Sequence, residues 1–214
     1  MYNITLICTR HKDNGKCNSK ELYDIIVKIN PEIIFEEIPC FWWIKNYKEQ
    51  SDSILEIKAI EKYLEKHEVE QIPVDNLDLL KQLNNFEYRK EQKICNNSVW
   101  RDLLEKQCSL EYQHGFMYLN NTQCDDFFEK LSILEEYIIK NSNKEKLFRL
   151  YNSWHEIQGK REYEMINNIY KYSYKNVYNK ALFLVGSGHR KSIINKAQEY
   201  NIKAEIKLNW NFNL

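Results

Sequence analysis

Residues 4–38 read ITLICTRHKDNGKCNSKELYDIIVKINPEIIFEEI, and this stretch decides the fold class. Ile4, Thr5 and Ile7 are β-branched within an apolar run, which predicts a strand over residues 4–8. Residues 9–15 are polar and lead into a helix: Ser19 is a fitting N-cap, and Leu22, Ile25, Ile26 and Ile29 recur at the spacing of one helix face. Asn30-Pro31 stops that helix, because the proline ring crowds the preceding residue out of the helical conformation. Residues 33–38 predict a second strand, closed by Pro39. A near-continuous apolar run is the pattern of a strand buried on both faces. The unit therefore reads β-α-β, with a right-handed crossover and a parallel pair.

Outward from this unit, residues 53–66 predict a helix with Ile54, Ile57, Ile60, Tyr63 and Leu64 inward, and residues 71–75 a short third strand. From 77 to 178 the pattern changes to long helical segments rich in Tyr, Phe and Leu, including 127–140 and 146–172. Strand character returns at 181–185, followed by a helix over 190–200 and a last strand over 204–208. The expected architecture is α/β, a mixed, mainly parallel central sheet flanked by helices. One domain is expected over 1–214, its sheet core in 1–76 and 179–214 and a helical insertion or cap in 77–178.

Composition narrows the function classes. The chain has 214 residues with 31 Lys+Arg against 31 Asp+Glu, so it lacks the basic surplus that nucleic-acid phosphates or an anionic membrane require. Its 43% hydrophobic and 14% aromatic content, set against 5 Gly and 3 Pro, excludes a flexible linker or a disordered tail. The longest apolar runs fall far short of the roughly 20 residues needed to span a bilayer. The N-terminus has no basic start before its apolar stretch, which with the former point predicts a cytoplasmic protein. Cys8, Cys17, Cys40, Cys95, Cys108 and Cys124 contain no Cys-x-x-Cys pair and are expected to be reduced thiols.

The chemistry gathers at strand ends. In an open parallel sheet, ligands bind outside the carboxyl ends of the strands. Here the first strand runs out into Thr9-Arg10-His11, the second into Glu36-Glu37, and the late strand into Gly186-Ser187-Gly188-His189. If these strands are neighbours, two imidazoles and a carboxylate meet at one edge. They can hold a divalent cation or orient and deprotonate a water, and spacing alone does not choose. Adjacent acids in an apolar strand point to opposite faces, so one of Glu36 and Glu37 faces something other than water. Gly186-Ser187-Gly188 reads as a tight strand-to-helix turn whose amides can also hold an anion, but it lacks the third glycine and lysine of a phosphate loop. Trp154 and His155 precede Arg161 on the same expected helix, which makes His155 a supporting candidate. Phe41-Trp42-Trp43, just past Glu37, is a core anchor or an apolar wall over the site.

The ordered set resembles the superfamily of TraB/PrgY-type proteins, GumN, the Tiki proteases, the ChaN-like proteins and the erythromycin esterases. The matching pieces are Cys8-Thr9-Arg10-His11, Pro31-Glu32-Ile33-Ile34-Phe35-Glu36-Glu37, Arg161-Glu162-Tyr163-Glu164-Met165 and Gly186-Ser187-Gly188-His189. The resemblance implies that His11 and His189 are paired histidines, that Glu37 is the strand-end carboxylate and that Arg161 lines the site. It implies a divalent metal such as Mn or Zn on His11, Glu37 and His189, as in the Tiki branch, or metal-free activation of water, as in the esterase branch. Cys8 departs from the pattern, standing where the family has glycine. The resulting expectation is a hydrolase acting on a small-molecule or peptide carbonyl, with Arg161 and the amides near Gly188 stabilising developing negative charge. The alternatives are a module that holds a metal, haem or anion without turnover, and a partner-binding protein on the same fold. No nucleic-acid or membrane partner is expected.

Overall fold

The computed structural model describes residues 2–37, 54–83 and 92–214. The expected strand end at Ile38-Pro39, the Phe41-Trp42-Trp43 segment and Cys40 lie outside the described residues. Five strands form one sheet: β1 (Asn3–Thr9), β2 (Ile33–Glu36), β3 (Glu70–Pro73), β4 (Lys180–Gly186) and β5 (Asn209–Asn211), in the order β3-β2-β4-β1-β5. Every pairing in it is parallel, in line with the mainly parallel sheet expected and without the antiparallel strand of a mixed one.

Helix α1 (Ser19–Ile29) joins β1 to β2. Its N-cap is Asn18, one residue before the expected Ser19, because the Asn18 side chain accepts the Glu21 N–H at 3.0 Å. Asn30 closes the helix in the left-handed conformation, φ 49°, just before Pro31. Helix α2 (Leu55–Leu64) joins β2 to β3. Between β3 and β4 run α3 (Leu77–Leu83), α4 (Gln92–Cys95), α5 (Ser98–His114), α6 (Phe116–Leu119), α7 (Thr122–Lys140) and α8 (Glu145–Lys175). A turn of 3-10 helix (Ser187–His189) and α9 (Arg190–Lys203) then lead from β4 to β5. Among the described residues no helix is long and apolar enough to cross a membrane.

The two-residue alternation of the strands sorts the core into two layers. Ile4, Leu6, Phe35, Phe183 and Val185 pack with Met165, Ile166 and Ile169 of α8 and Ile193 and Ala197 of α9. On the other face Ile7, Ile34, Leu182 and Leu184 pack with Leu22 and Ile26 of α1, Leu55, Ile60 and Tyr63 of α2, and Phe116 of α6. The expected β1–β2 pair does not form, since β4 lies between these strands and hydrogen-bonds both. β4 carries the unbroken apolar run Ala181 to Val185, buried throughout, and such a strand gains most at the centre of a sheet.

The last strand also starts later than its sequence suggests. Asn201 of α9 bonds both backbone groups of Leu208, accepting its N–H at 3.0 Å and donating to its carbonyl at 3.1 Å. With those groups satisfied, residues 204–208 stay off the ladder, and Leu208 drops into the core. Pairing with β1 begins at Asn209.

Strand order is what builds the site. The chain leaves β1 and β2 towards the α1/α2 face, while β4 leaves towards the α9 face. Neighbouring strands whose connections diverge open a crevice at their carboxyl ends. Here β4 has such a neighbour on each side, so its terminal loop stands between the ends of β1 and β2.

Candidate functional site

A cleft of about 580 Å³ opens at this edge, and His11, Glu37, Gly186, Gly188 and His189 all line it. Helix α8 supplies one wall with Trp154, His155, Gln158, Gly159 and Glu162. Phe128 and Ser132 of α7 face them, and Ser192 and Lys196 of α9 complete the lining.

Glu37 is the hinge of the arrangement. One carboxylate oxygen, Oε1, accepts from Arg161 NH2 at 2.9 Å and faces His189 Nε2 at 3.6 Å. The other accepts the Gly186 N–H at 2.8 Å. A Cβ on Gly186 would lie 3.4 Å from that second oxygen and 3.6 Å from the His189 ring, at ordinary contact distance, so it is the backbone N–H of this residue that the site uses. Burial opposes the Glu37 carboxylate, but His189, Arg161 and the Gly186 amide outweigh it and lower its pKa. Glu36, next to it on β2, points the opposite way. It is buried and lines, with Ile57, Ile60 and Leu184, a small cavity on the α2 side that His11 and Glu37 also border, and it is absent from the lining of the larger cleft. The alternation of the strand thus assigns the cleft carboxylate to Glu37.

Arg161 lies behind Glu37 rather than over the open cleft. Its side chain is only 3% exposed, and Asp75, just past β3, grips it through Nε at 3.1–3.2 Å and NH2 at 2.5 Å. Gln158, one turn earlier on α8, takes NH1. The guanidinium is therefore fully engaged by its neighbours, and its task in this arrangement is to hold Glu37. Burial opposes its charge, yet Asp75 and Glu37 raise its pKa further.

His189 is anchored on its far side. Its Nδ1 meets Glu162 Oε1 at 2.7 Å, and the other Glu162 oxygen accepts from Lys196 Nζ at 2.9 Å and from Ser192 Oγ at 2.5 Å. Nε2 is left pointing at Glu37. Burial disfavours a charged imidazole, but the Glu37 and Glu162 carboxylates outweigh it and raise the His189 pKa above 6.5. For Glu162 the same contacts overcome burial and bring its pKa down to about 2.

His11 stands at the end of β1, across β4 from the end of β2, its side chain 52% exposed. Glu56 of α2 holds Nδ1 at 3.2 Å and also accepts the Thr9 hydroxyl at 2.7 Å. Burial works to lower the His11 pKa, but Glu56, with Glu37 behind it, lifts it to about 8. Their carboxylate partners thus raise the pKa of both imidazoles, and the ionised Glu37 beside His189 is the available base.

Cys8 takes no part in this chemistry. It is fully buried within β1, and burial pushes its thiol pKa well above 9.0, so the nucleophilic thiolate is suppressed. The glycine-to-cysteine departure costs nothing in backbone terms, because among the described residues only Asn30 and Asn143 combine a side chain with positive φ. β5 covers β1 only through Thr5, and beyond it Asn120 stands in for the missing strand. Its side chain accepts the Cys8 N–H at 2.7 Å and donates to the Cys8 carbonyl at 3.1 Å.

The side chains as they stand fit a divalent metal poorly. Both Glu37 oxygens already accept hydrogen bonds, and one adjoins a guanidinium that repels a second cation. Among the described residues no three His, Cys, Asp or Glu side chains are arranged to hold a metal ion.

His11, Glu37, Gly186, Gly188, His189 and His155 line one cleft, Arg161 adjoins it, and Ser187 is buried behind the turn. His155 packs against Tyr151 and Trp154 at 4.3 and 4.9 Å between ring centroids. Glu162, Asp75, Gln158 and Glu56 were not singled out from sequence. Glu162 carried a signal, standing beside Arg161 within the matching piece, and Asp75 follows a strand end. Glu56 and Gln158 are ordinary helix-surface residues in sequence and become neighbours of the site only by folding. Comparison with protein-family models, with curated proteins and with solved structures finds no match for this chain.

Proposed function

We propose that the protein is a hydrolase, a peptidase or esterase of the TraB/Tiki/erythromycin-esterase type that its strand-end motifs resemble, acting on the carbonyl of a small molecule or peptide. The observation that supports this reading is the meeting of His11, Glu37 and His189, from the ends of three strands, in one cleft, with Glu37 Oε1 3.6 Å from His189 Nε2. Glu37 takes a proton from a water in the cleft, and the resulting hydroxide attacks the carbonyl carbon. His11 and His189 donate to the developing oxyanion, and His189 passes its proton to the leaving atom. Glu37 then returns the water's proton to His189 across the gap between them, and the site is restored. Arg161, pinned by Asp75, keeps Glu37 ionised and aimed, and no step requires a metal. The free thiols of the described cysteines, of which Cys8, Cys17 and Cys124 are buried, suit a cytoplasmic enzyme.

The test is turnover of p-nitrophenyl esters and aryl-amide peptides, with chelator and with added Mn or Zn. His11→Ala and His189→Ala should each leave a folded protein, judged by circular dichroism, and lower kcat/KM by at least ~10²-fold. In the wild type kcat/KM should fall as pH rises through about 8, where His11 loses its proton. Full activity in both variants refutes the reading.

A further inference from the structure

The chain has five glycines, and the backbone requires two of them. Gly15 and Gly115 have φ of +59° and +58°, whereas a Cβ on Gly186 or Gly188 would meet Glu37 or Phe128 at ordinary contact distance. Gly159 differs from all four. It sits in the middle of the 31-residue helix α8, where glycine costs roughly 0.5–1 kcal/mol against alanine, and no atom lies within 4 Å of where its Cβ would be. That open space is the cleft itself, which Gly159 lines together with His155 four residues before it and Glu162 three residues after it. These positions share one helix face. Packing within the protein thus gives this glycine no purpose, and a group lying directly on the helix backbone does.

The charges of the cleft say what kind of group. Glu37 is paired with Arg161, and Glu162 with His189 and Lys196, while His11 is held by Glu56. A charged ligand would have to break one of these pairs, whereas an uncharged one leaves them intact. The aromatic side chains of Phe128, Trp154 and His155 line the same cleft as Gly159.

We infer that Gly159 is the floor of a subsite for the uncharged acyl chain of the substrate, which lies across α8 against the Phe128 and Trp154 rings with its carbonyl directed to Glu37 and His189. The designation of this group as acyl rests on the hydrolase reading; the subsite for an uncharged, slender group does not. Two measurements separate them. The first is kcat/KM for p-nitrophenyl acetate, butyrate and octanoate. The second is binding of acetanilide, octananilide and the carboxylate-bearing succinanilic acid, followed by saturation-transfer NMR. Each is run on wild type, Gly159→Ala and Gly159→Leu, with urea unfolding to report the fold.

The Gly159→Ala midpoint in urea should rise, as removal of a helix glycine predicts, while Gly159→Leu lowers the octanoate-to-acetate ratio of kcat/KM at least about tenfold. Octananilide should bind wild type more tightly than succinanilic acid does, and Gly159→Leu should weaken it. If wild type cleaves no ester yet binds octananilide and loses it in Gly159→Leu, the hydrolase reading fails and the subsite stands. If wild type binds no anilide, if succinanilic acid binds as well as octananilide, or if Gly159→Leu binds and cleaves as wild type does, the subsite is overturned.

Discussion

Replacing Glu162 by glutamine removes one negative charge from the back of His189 while keeping the size of the side chain and an oxygen that can still accept from Nδ1. Glu162 lies under 10% exposed, and its contacts to His189, Ser192 and Lys196 bring its pKa from an ordinary 4.5 to about 2. At about 1.4 kcal/mol per tenfold in the proton equilibrium, that fall corresponds to roughly 3 kcal/mol of stability. A carboxylate with a depressed folded pKa contributes fully above its unfolded value and loses the contribution as pH falls through the folded one. The expected cost of Glu162→Gln is therefore roughly 2–3 kcal/mol at pH 6–7, narrowing between pH 4.5 and about 2. Urea unfolding of both proteins across this range measures the gap. An NMR titration of the His189 ring gives the complementary reading: its pKa, raised in the wild type, should fall towards 6.5 in the variant. The imidazolium contribution, present below 6.5 in either protein, is then lost at lower pH in the variant as pH rises. A variant as stable as wild type at pH 7, or a gap that stays constant down to pH 2, refutes the assignment of Glu162 as the anchor of His189.

Two further outcomes test the supports around the site. Arg161→Met leaves the fully buried Asp75 carboxylate and Glu37 without their cation, and should cost about 3–5 kcal/mol in urea unfolding. Adding Asp75→Asn should recover part of this, and a double variant no more stable than the single one shows that Asp75 is not the partner that matters. Asn120→Ala removes the side chain that stands in for a strand beside Cys8, leaving a buried N–H and a buried carbonyl unsatisfied. It should cost about 2–4 kcal/mol and speed amide exchange at Cys8, and wild-type exchange at Cys8 would refute it.

The site was partly legible because strand ends are marked in sequence by the passage from apolar runs to polar residues. His11, Glu37 and the Gly186-to-His189 turn each stand at such a passage, so their place at one edge of the sheet follows from period and composition. The choice between Glu36 and Glu37 needed the phase of the strand against the helices, which the burial of Glu36 on the α2 side provides. Arg161 was visible as a resemblance but not in its task, because the capping of its guanidinium depends on Asp75, 86 residues earlier in the chain. Glu56 was invisible for the same reason: a glutamate in the first turn of a helix reads as a dipole partner until folding brings His11 and Thr9 to it.

By itself the sequence determined the alternation of strands and helices, the parallel character of the sheet and the residues offered at its carboxyl edge. These follow from local quantities, the two- and 3.6-residue periods and the stops at Pro31 and the glycine pair. Only the tertiary structure decided that β4 enters between β1 and β2, since that depends on which strand gains most from burial on both faces and both edges. That placement sets His189 between His11 and Glu37, where carboxylates distant in sequence raise the pKa of both imidazoles, and leaves Gly159 open to the cleft.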